Sequence, residues 1–320
     1  MARPQRYLSG VQPSGMLHLG NYFGAIRSHV ENQDNAFYFI ADYHALTSTR
    51  DAETLRKLVF DAAASYLALG LDPKKAAFFR QSDVPEVTEL TWLLMTTTGM
   101  GLLERAHSFK DKKAKGLSAT MGLFSYPVLM ASDILIYDSD VVPVGKDQVQ
   151  HLEMTRDMAQ SFNAYYGDVF VLPKFELGTP ELVPGIDGEK MSKSYGNTIP
   201  IFTQGKALKK LVMSIETDST PLEAPKNPDT CTAFALYSLF ASPDEIAEMR
   251  ENYAGGGYGY GHAKKALLEK IKAHFGEAYE RMATYEKNPD LVYDVLADGA
   301  ARARTVARGV LDRARAACGL

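Results

Sequence analysis

The chain is poor in cysteine, with only Cys231 and Cys318 among its 320 residues. They are far apart and lack metal-ligand spacing, which argues against a disulfide framework and against a cysteine-based zinc or iron–sulfur site. No apolar run is long enough to span a bilayer, and no apolar segment follows the charged N-terminus as it would in a secretory signal. We therefore expect a cytoplasmic protein with no membrane partner.

An excess of one charge is also lacking, since 35 Lys and Arg stand against 39 Asp and Glu, a net charge of -4. This balance argues against a protein that wraps nucleic acid with its whole surface, but a local basic patch still suffices for phosphate recognition. Five Lys or Arg lie in 105–115 and five Arg in 302–315. On charge alone, each cluster is interpreted as a solvated face.

Short apolar runs alternate with helical patterns in the first half of the chain, which predicts a parallel α/β sheet covered on both sides. The predicted strands are Tyr7–Val11, Ala36–Ala41, Ala76–Phe79 and Val141–Val144. A helical stripe from Leu55 to Leu69 is expected to end at Gly70. After about residue 200 only helices are predicted, at 206–213, 244–250, 263–275 and 298–317. The fold class is thus α/β followed by an all-α part.

A glycine-containing loop, Pro13–Asn21, follows the first predicted strand and opens a helix. Such a helix start offers unpaired backbone N–H groups and a positive dipole end to an anion. His18 and Asn21 can donate to phosphate oxygens, and Gly20 lets a flat group approach the backbone. A sheltered turn with a capping histidine explains the same residues equally well.

The segment Lys190-Met191-Ser192-Lys193-Ser194 follows a turn and places two lysines three residues apart. Ammonium groups on a mobile loop can follow negative charge onto departing pyrophosphate and so favour the transition state. Spacing alone is also compatible with an ordinary polar surface loop.

Both segments resemble signatures of the class I aminoacyl-tRNA synthetases. His18-Leu19-Gly20-Asn21 is similar to their "HIGH" motif, and Lys190–Ser194 matches "KMSKS" letter for letter. The resemblance covers most of the chain and is closest to the tryptophanyl-tRNA synthetases. The other matching segments are Ser9–Gly15, Gly20–Tyr22, Asp42–Ala45, Phe109–Lys112, Tyr126–Leu135, Val142–Gly145, Asp147–Gln148 and Thr217–Ser219.

The resemblance implies a Rossmann-like catalytic domain over 1–200, a helical anticodon-binding domain over 201–290, and a C-terminal helix over 291–320 that packs back towards the catalytic domain. It implies that ATP enters with Mg²⁺ carried on its phosphates, with no metal held by the protein itself. It also implies L-tryptophan and tRNA(Trp) as substrates, and a homodimer bridged by tRNA.

Residue roles follow from the same resemblance. The expected catalytic residues are His18, Asn21, Lys110, Lys112, Lys190 and Lys193. The expected ATP-binding residues are Gln12, Pro13, Ser14, Gly20, Asn21, Gly145, Lys146, Asp147, Leu182, Val183, Lys190, Met191, Ser192, Lys193 and Ser194. Lys146 departs from the acidic residue that relatives usually carry there, and Leu8 from a common Phe near the amino-acid pocket.

An acidic residue on an apolar stripe is the strongest feature of the predicted amino-acid pocket. Tyr126, Met130, Asp133 and Tyr137 recur at helical spacing and are expected on one helix face. A carboxylate on such a face is costly unless it is paired, so a salt bridge to an Arg or Lys is one interpretation of Asp133. The resemblance implies the other, in which Asp133 accepts the indole N–H of tryptophan.

The remaining pocket residues follow from the resemblance alone. Met130 is expected to pack against the indole ring. Gln148 and Tyr126 are expected to hold the substrate ammonium, with His44, Val142 and Val144 lining the pocket. The implied reaction is attack of the tryptophan carboxylate on the α-phosphorus of ATP, followed by transfer of the tryptophanyl group to the 3′ end of the tRNA. A tyrosyl-tRNA synthetase, a small nucleotidyltransferase and a non-catalytic RNA-binding paralogue remain as alternatives.

Overall fold

Five short parallel strands lie at the centre of the computed structural model, which describes residues 5–106, 120–145, 148–177 and 182–320. They are β1 Leu8–Val11, β2 Phe37–Ile40, β3 Ala77–Arg80, β4 Val141–Val144 and β5 Lys174–Leu177. The first three pair side by side, β4 pairs with β5, and a single parallel bridge from Tyr7 to Val141 joins the two groups. The resulting order, β3-β2-β1-β4-β5, is the doubly wound order of a Rossmann-like sheet.

Strand β2, which lies between β1 and β3, explains why these segments are readable from the sequence. All four of its residues are buried, because helices cover both faces of a parallel sheet and leave no solvent-facing side. Strands of this kind appear as continuous apolar runs, and four of the five were predicted. The fifth, β5, was missed because its Lys-Phe-Glu-Leu sequence has no such run.

Helices fill the connections between strands and make up the described chain after residue 200. In the α/β half they span Leu19–Asn21, Arg27–Glu31, Asp42–Ala45, Ala52–Ala68, Glu86–Met95, Met100–Glu104, Met121–Leu135 and Val149–Tyr166, with a π-helical turn over Tyr22–Ile26. The later helices span Gly205–Met213, Thr232–Ser238, Pro243–Gly255, Tyr260–Lys287 and Pro289–Cys318. Short 3₁₀ turns occupy Gln81–Asp83, Lys193–Tyr195 and Pro228–Thr230.

The helical half follows the predicted order but with longer elements. The helix predicted over 263–275 extends from Tyr260 to Lys287, and the one predicted over 298–317 begins at Pro289. The helix Thr232–Ser238 was missed because seven residues give too little pattern to distinguish it from a loop. None of the helices in the described ranges is long and apolar enough to cross a membrane.

The last helix, Pro289–Cys318, is called the tail helix and packs directly against β3. Its Gly299 lies so close to the strand that an added Cβ would stand 2.0 Å from the backbone oxygen of Phe78. Ala303 and Ala307 continue this small-residue stripe and are buried. The tail helix therefore covers one face of the sheet that carries the α/β half.

The arginines of the tail helix bind the α/β half. Arg304 and Arg308 both contact the buried carboxylate of Glu86, at 2.9 and 3.0 Å, and Arg315 contacts Glu89. Arg313 bonds to Asp138 at 2.7 Å. The cluster is therefore not simply the solvated face that its charge suggested, because its guanidinium groups join the helix to the rest of the protein. Most of the other basic cluster, from residue 107 onwards, lies outside the described residues.

The contact at Gly299 predicts a large effect of a small substitution. Gly299→Ala should lower the free energy of unfolding by about 3 kcal/mol, because the new methyl group meets strand backbone that cannot move aside. Gly309→Ala is the matched control in the same helix, since nothing lies within 4 Å of its added Cβ. That control should raise stability by about 0.5 kcal/mol through helix propensity. Denaturant unfolding of both variants measures the difference, and equal effects would contradict this packing.

Candidate active site

A cavity of about 440 Å³ lies between β1, β2, β4 and the helix Met121–Leu135, which we call the pocket helix. Ligand cavities in open α/β sheets occur at this position, where the strand order reverses. The seven residues predicted for the amino-acid pocket all line it, together with Gln12 of the predicted ATP site. They are His44, Tyr126, Met130, Asp133, Val142, Val144 and Gln148.

Asp133 lies at the inner wall of the cavity and is only 2% exposed. The side-chain amide of Gln81 donates to both of its oxygens at 2.8 Å. His44 Nε2 lies 2.9 Å from Oδ2 and must carry the proton if the carboxylate is ionised, since a carboxylate only accepts. Burial raises the pKa of Asp133, and the bonds from His44 and Gln81 act against that rise.

The salt-bridge interpretation of Asp133 finds no support. Within the part of the chain that the structure describes, no Arg or Lys pairs with this carboxylate, and its partners are a neutral amide and a histidine. The helical spacing placed Met130 and Asp133 correctly, but Tyr137 is not on the same helix, because the pocket helix ends at Leu135. Tyr137 instead lies buried against the rings of Phe37 and Phe79.

His151 was missed by the sequence analysis and belongs to the same cavity. Its Nε2 lies 3.0 Å from the Tyr126 hydroxyl, and the two rings meet edge to face. It follows Gln148 by three residues at the start of the helix Val149–Tyr166, so both side chains face the cavity. This spacing from a predicted pocket residue was the available signal. Gln81 gave a weaker signal, a polar residue directly after a buried parallel strand.

The two signature segments, nearly 180 residues apart in sequence, touch each other in the structure. Lys193 Nζ donates to the backbone oxygen of Ser14 at 2.9 Å. The Gly20 N–H points to Met191 Sδ at 3.3 Å, and a Cβ on Gly20 would lie 3.0 Å from the His18 ring. Met191 is buried beneath the helix start. The structure thus brings these five predicted residues of the nucleotide site together.

His18 lies at the start of a helix, a position that favours the binding of an anion. Its backbone N–H donates to Asn21 Oδ1 at 3.1 Å, which leaves the amide nitrogen of Asn21 as the group able to donate. Its ring Nδ1 is buried and has no hydrogen-bond partner among the described residues. Burial, and then the nearby Lys193 ammonium, lower the pKa of His18 to about 4. A neutral ring with an unpaired buried nitrogen is suited to a polar ligand.

Asn197 fixes the loop that carries the two signature lysines and was also missed. It is 2% exposed and accepts the Ser192 N–H at 2.8 Å. Its amide donates to Asp187 at 2.8 Å and to the Lys190 backbone oxygen at 3.2 Å. The only signal in the sequence was an asparagine three residues after the signature. Its burial, which makes it structurally important, is not visible in the sequence.

Other predicted nucleotide residues lie apart from the cavity or outside the described chain. Leu182 is exposed, whereas Val183 is buried and accepts the Met191 N–H at 3.0 Å. Lys190 and Ser194 are exposed on the signature loop, and Gly145 directly follows β4. Pro13 precedes Ser14 in the loop that Lys193 contacts. Lys110, Lys112, Lys146 and Asp147 lie outside the described residues.

The ranges that the structure describes contain no group of three or more His, Cys, Asp or Glu side chains that could hold a metal ion. The cavity therefore presents polar groups of another kind: a buried carboxylate, amides, histidines and a tyrosine hydroxyl. This set is suited to orient an organic molecule by hydrogen bonds.

Comparison with known families gives this site its context. The family described as "tRNA synthetases class I (W and Y)" matches residues 1–276. The chain belongs to this family. The class I synthetase is 57% identical to a tryptophan–tRNA ligase from Rhodopirellula baltica over 318 residues, which is 98% of this chain and 99% of that one. A tryptophan–tRNA ligase from Fusobacterium nucleatum is 56% identical over 320 residues, 99% of this chain and 98% of its own.

A solved structure matches the synthetase over nearly its whole length. It is a Campylobacter jejuni tryptophanyl-tRNA synthetase complexed with ADP and tryptophan, with 50% identity and a TM-score of 0.94. The match covers 99% of this chain and 100% of that one. The predicted fold class, an α/β Rossmann-like sheet followed by helices, is confirmed by this match.

The lowered pKa of His18 predicts that the free energy of unfolding of the synthetase decreases in acid. An unfolded histidine binds its proton near pH 6.5 and the folded one near pH 4, so the unfolded state binds more protons between these values. The free energy of unfolding should therefore fall as the pH drops from 6.5 to 4, with a share of about 2 kcal/mol from this residue. Denaturant unfolding of His18→Gln and of the parent protein, each at pH 7 and pH 4.5, measures this contribution. The variant should lose less unfolding free energy between the two pH values than the parent protein does. The same pH-dependent loss in both proteins would show that His18 does not titrate as stated.

Proposed function

We propose that this synthetase is a tryptophan–tRNA ligase, which activates L-tryptophan with ATP and transfers it to the 3′ end of tRNA(Trp). The observation that carries the proposal is the buried carboxylate of Asp133 at the inner wall of a cavity lined by Met130, Val142 and Val144. The two tryptophan–tRNA ligases that are 57% and 56% identical to this chain support it.

The cavity chemistry favours an indole ring. A flat apolar ring packs on the aliphatic walls, and its single N–H donates to Asp133. Phenylalanine offers no donor and leaves the remaining acceptor position of Asp133 unused. Sites built in this way discriminate by about 10⁴–10⁵ without editing. Tyr126 and Gln148, which also line the cavity, then hold the substrate ammonium.

Activation needs no general base, because the attacking carboxylate is already charged. Positioning and charge stabilisation then supply the rate. His18 and the Asn21 amide bind the phosphates at the helix start, while Lys190 and Lys193 follow the charge onto pyrophosphate. The bond of Lys193 to Ser14 supports this role, since it holds the ammonium beside the phosphate-binding loop. Lys110 and Lys112 are proposed to reach the same phosphates.

ATP binding is proposed to use Gln12, Ser14 and Gly20, with Gly145, Lys146 and Asp147 at the ribose and Leu182 and Val183 at the adenine. The unpaired His18 nitrogen fits such a ligand. Magnesium is proposed to arrive on the ATP phosphates, where it neutralises charge on the leaving pyrophosphate.

The helical half is proposed to recognise tRNA. We assign 1–200 to catalysis, 201–290 to anticodon binding and 291–320 to a C-terminal helix that returns to the catalytic domain. The packing of the tail helix on β3 and the pairing of its arginines with Glu86 support the last assignment. They also indicate that the tRNA contacts lie elsewhere, because these guanidinium groups already have protein partners.

Amino-acid-dependent exchange of pyrophosphate into ATP tests the proposed function. The parent protein should exchange with tryptophan and not with phenylalanine or tyrosine. Asp133→Asn should lower kcat/KM for tryptophan at least about 100-fold, because an amide in this pocket is a weaker acceptor for the indole N–H. Ser132→Ala is the matched control, since its hydroxyl bonds to Val128 and Thr91 and not to the cavity.

Each other outcome identifies a competing function. Exchange with tyrosine alone would assign the tyrosyl reaction, and adenylylation of a phosphate ester would assign a nucleotidyltransferase. Binding of tRNA with no adenylate formed would indicate a non-catalytic paralogue.

A homodimer is part of the proposed function. Trp92, Met100 and Met121 are each at least 67% exposed, and exposed large apolar side chains on neighbouring elements mark association surfaces. Trp92 and Met100 lie on consecutive helices, and Met121 begins the pocket helix, which packs on the first of them. A second copy of the chain covers this surface and joins the two cavities into one tRNA-binding assembly.

Dimerisation is measurable through the single tryptophan of the chain. Sedimentation should give a dimer at micromolar concentration, and dilution should shift the Trp92 emission to longer wavelength as water reaches the ring. Trp92→Glu should yield a monomer, because a charge in an apolar interface is left unpaired. Tyr165→Glu is the control at another exposed aromatic residue and should leave the dimer intact. A parent protein that sediments as a monomer contradicts the proposal.

A further inference from the structure

We infer that Gln81 is a positioning residue that sets the specificity for tryptophan, by holding Asp133 as an oriented acceptor for the indole N–H. The inference rests on the proposed function. Gln81 does not line the cavity and so acts through Asp133 rather than by touching the substrate.

The orientation of the Gln81 amide is fixed by the backbone. Gln81 is the first residue after β3, begins the 3₁₀ turn Gln81–Asp83 and is 1% exposed. Its Oε1 accepts the Tyr43 N–H at 3.1 Å. A backbone N–H can only donate, so the oxygen of the amide must face Tyr43 and the nitrogen must face Asp133.

The fixed Gln81 amide determines which acceptor positions of the Asp133 carboxylate remain free for a ligand. Gln81 Nε2 bridges both carboxylate oxygens at 2.8 Å, and His44 adds a second contact to Oδ2 only. A carboxylate has about four acceptor positions, so Oδ1 keeps the larger unused capacity. The indole N–H is therefore assigned to Oδ1, with the carboxylate plane held by Gln81.

The two donors belong to one connected unit at the ends of β2 and β3. Asp42 accepts the Ser82 N–H at 3.0 Å and also the Ser82 hydroxyl, while Tyr43 N–H reaches back to Gln81. The turn after β2 and the turn after β3 thus exchange side-chain bonds in both directions. His44 and Gln81 approach Asp133 from this unit, which is rigid because each of its bonds restrains the other turn.

Loss of the Gln81 amide would change the protonation and orientation of the Asp133 carboxylate, while the shape of the cavity would change little. Asp133 would remain buried with a single donor, and burial favours its protonated form. A protonated carboxyl group presents a hydroxyl donor as well as an acceptor, and an unanchored one rotates. Either change weakens the bond to an indole N–H while leaving the apolar walls, and hence the affinity for ring shape, in place.

Two substrates distinguish the positioning role of Gln81 from a nonspecific loss of activity caused by the substitution. Tryptophan is compared with its benzothiophene analogue, in which sulfur replaces the ring N–H and removes the donor without changing the ring shape. Exchange kinetics are measured for the parent protein, for Gln81→Met, which keeps the side-chain length, and for Ser132→Ala. Thermal unfolding of all three shows whether each is folded.

Gln81→Met should lower kcat/KM for tryptophan about 10- to 100-fold, mostly through KM, because one hydrogen bond to a charged group is lost. The analogue should change less than about threefold, so the ratio between the two substrates collapses. Ser132→Ala should leave the ratio unchanged. Equal losses with both substrates, or an unchanged ratio in a folded Gln81→Met, would overturn the inference. A parent protein inactive with tryptophan would instead overturn the proposed function and the inference with it.

Discussion

A buried carboxylate that pairs with no Arg or Lys in the described part of the chain is the constraint on which the candidate site depends. Asp133 is held inside the protein, where an unsatisfied charge is costly. Its donors come from the turns after β2 and β3, and its own backbone belongs to the pocket helix. The parallel sheet makes this possible, because the carboxyl ends of neighbouring strands lie at the same edge. The doubly wound order is thus also the condition for satisfying Asp133.

The nucleotide side of the site depends on a contact of a different kind. Met191 lies buried against the helix start that contains Gly20, and Lys193 reaches the Ser14 backbone. The loop is held from behind by Asn197, whose amide uses both its oxygen and its nitrogen on backbone or carboxylate groups. A loop fixed at its base with lysines at its exposed edge can move its charges without losing its contact with the helix start.

The sequence was informative where the physical cause is local. Short apolar runs identified four strands, and helical spacing placed Met130 and Asp133 on one face. The partners of Asp133 were not readable, because Gln81 and His44 are 52 and 89 residues away and a polar residue after a strand is common. The prediction that the tail arginines form a solvated face failed for the same reason. Their charge is visible in the local sequence, but their partner Glu86 lies more than 200 residues earlier. Proximity through the fold, not residue type, decided both cases.

Glu86 and Asp133 show how one protein treats two buried carboxylates differently. Burial raises the pKa of Glu86, but its own backbone N–H and the Arg304 and Arg308 guanidinium groups outweigh this, and the pKa is lowered. Asp133 receives its hydrogen bonds from the Gln81 amide and the His44 ring, and burial raises its pKa. A guanidinium at Asp133 would occupy both oxygens and leave no acceptor for a ligand. The Gln81 amide and the His44 ring keep the carboxylate only partly satisfied, and the capacity that remains is what a ring N–H can use.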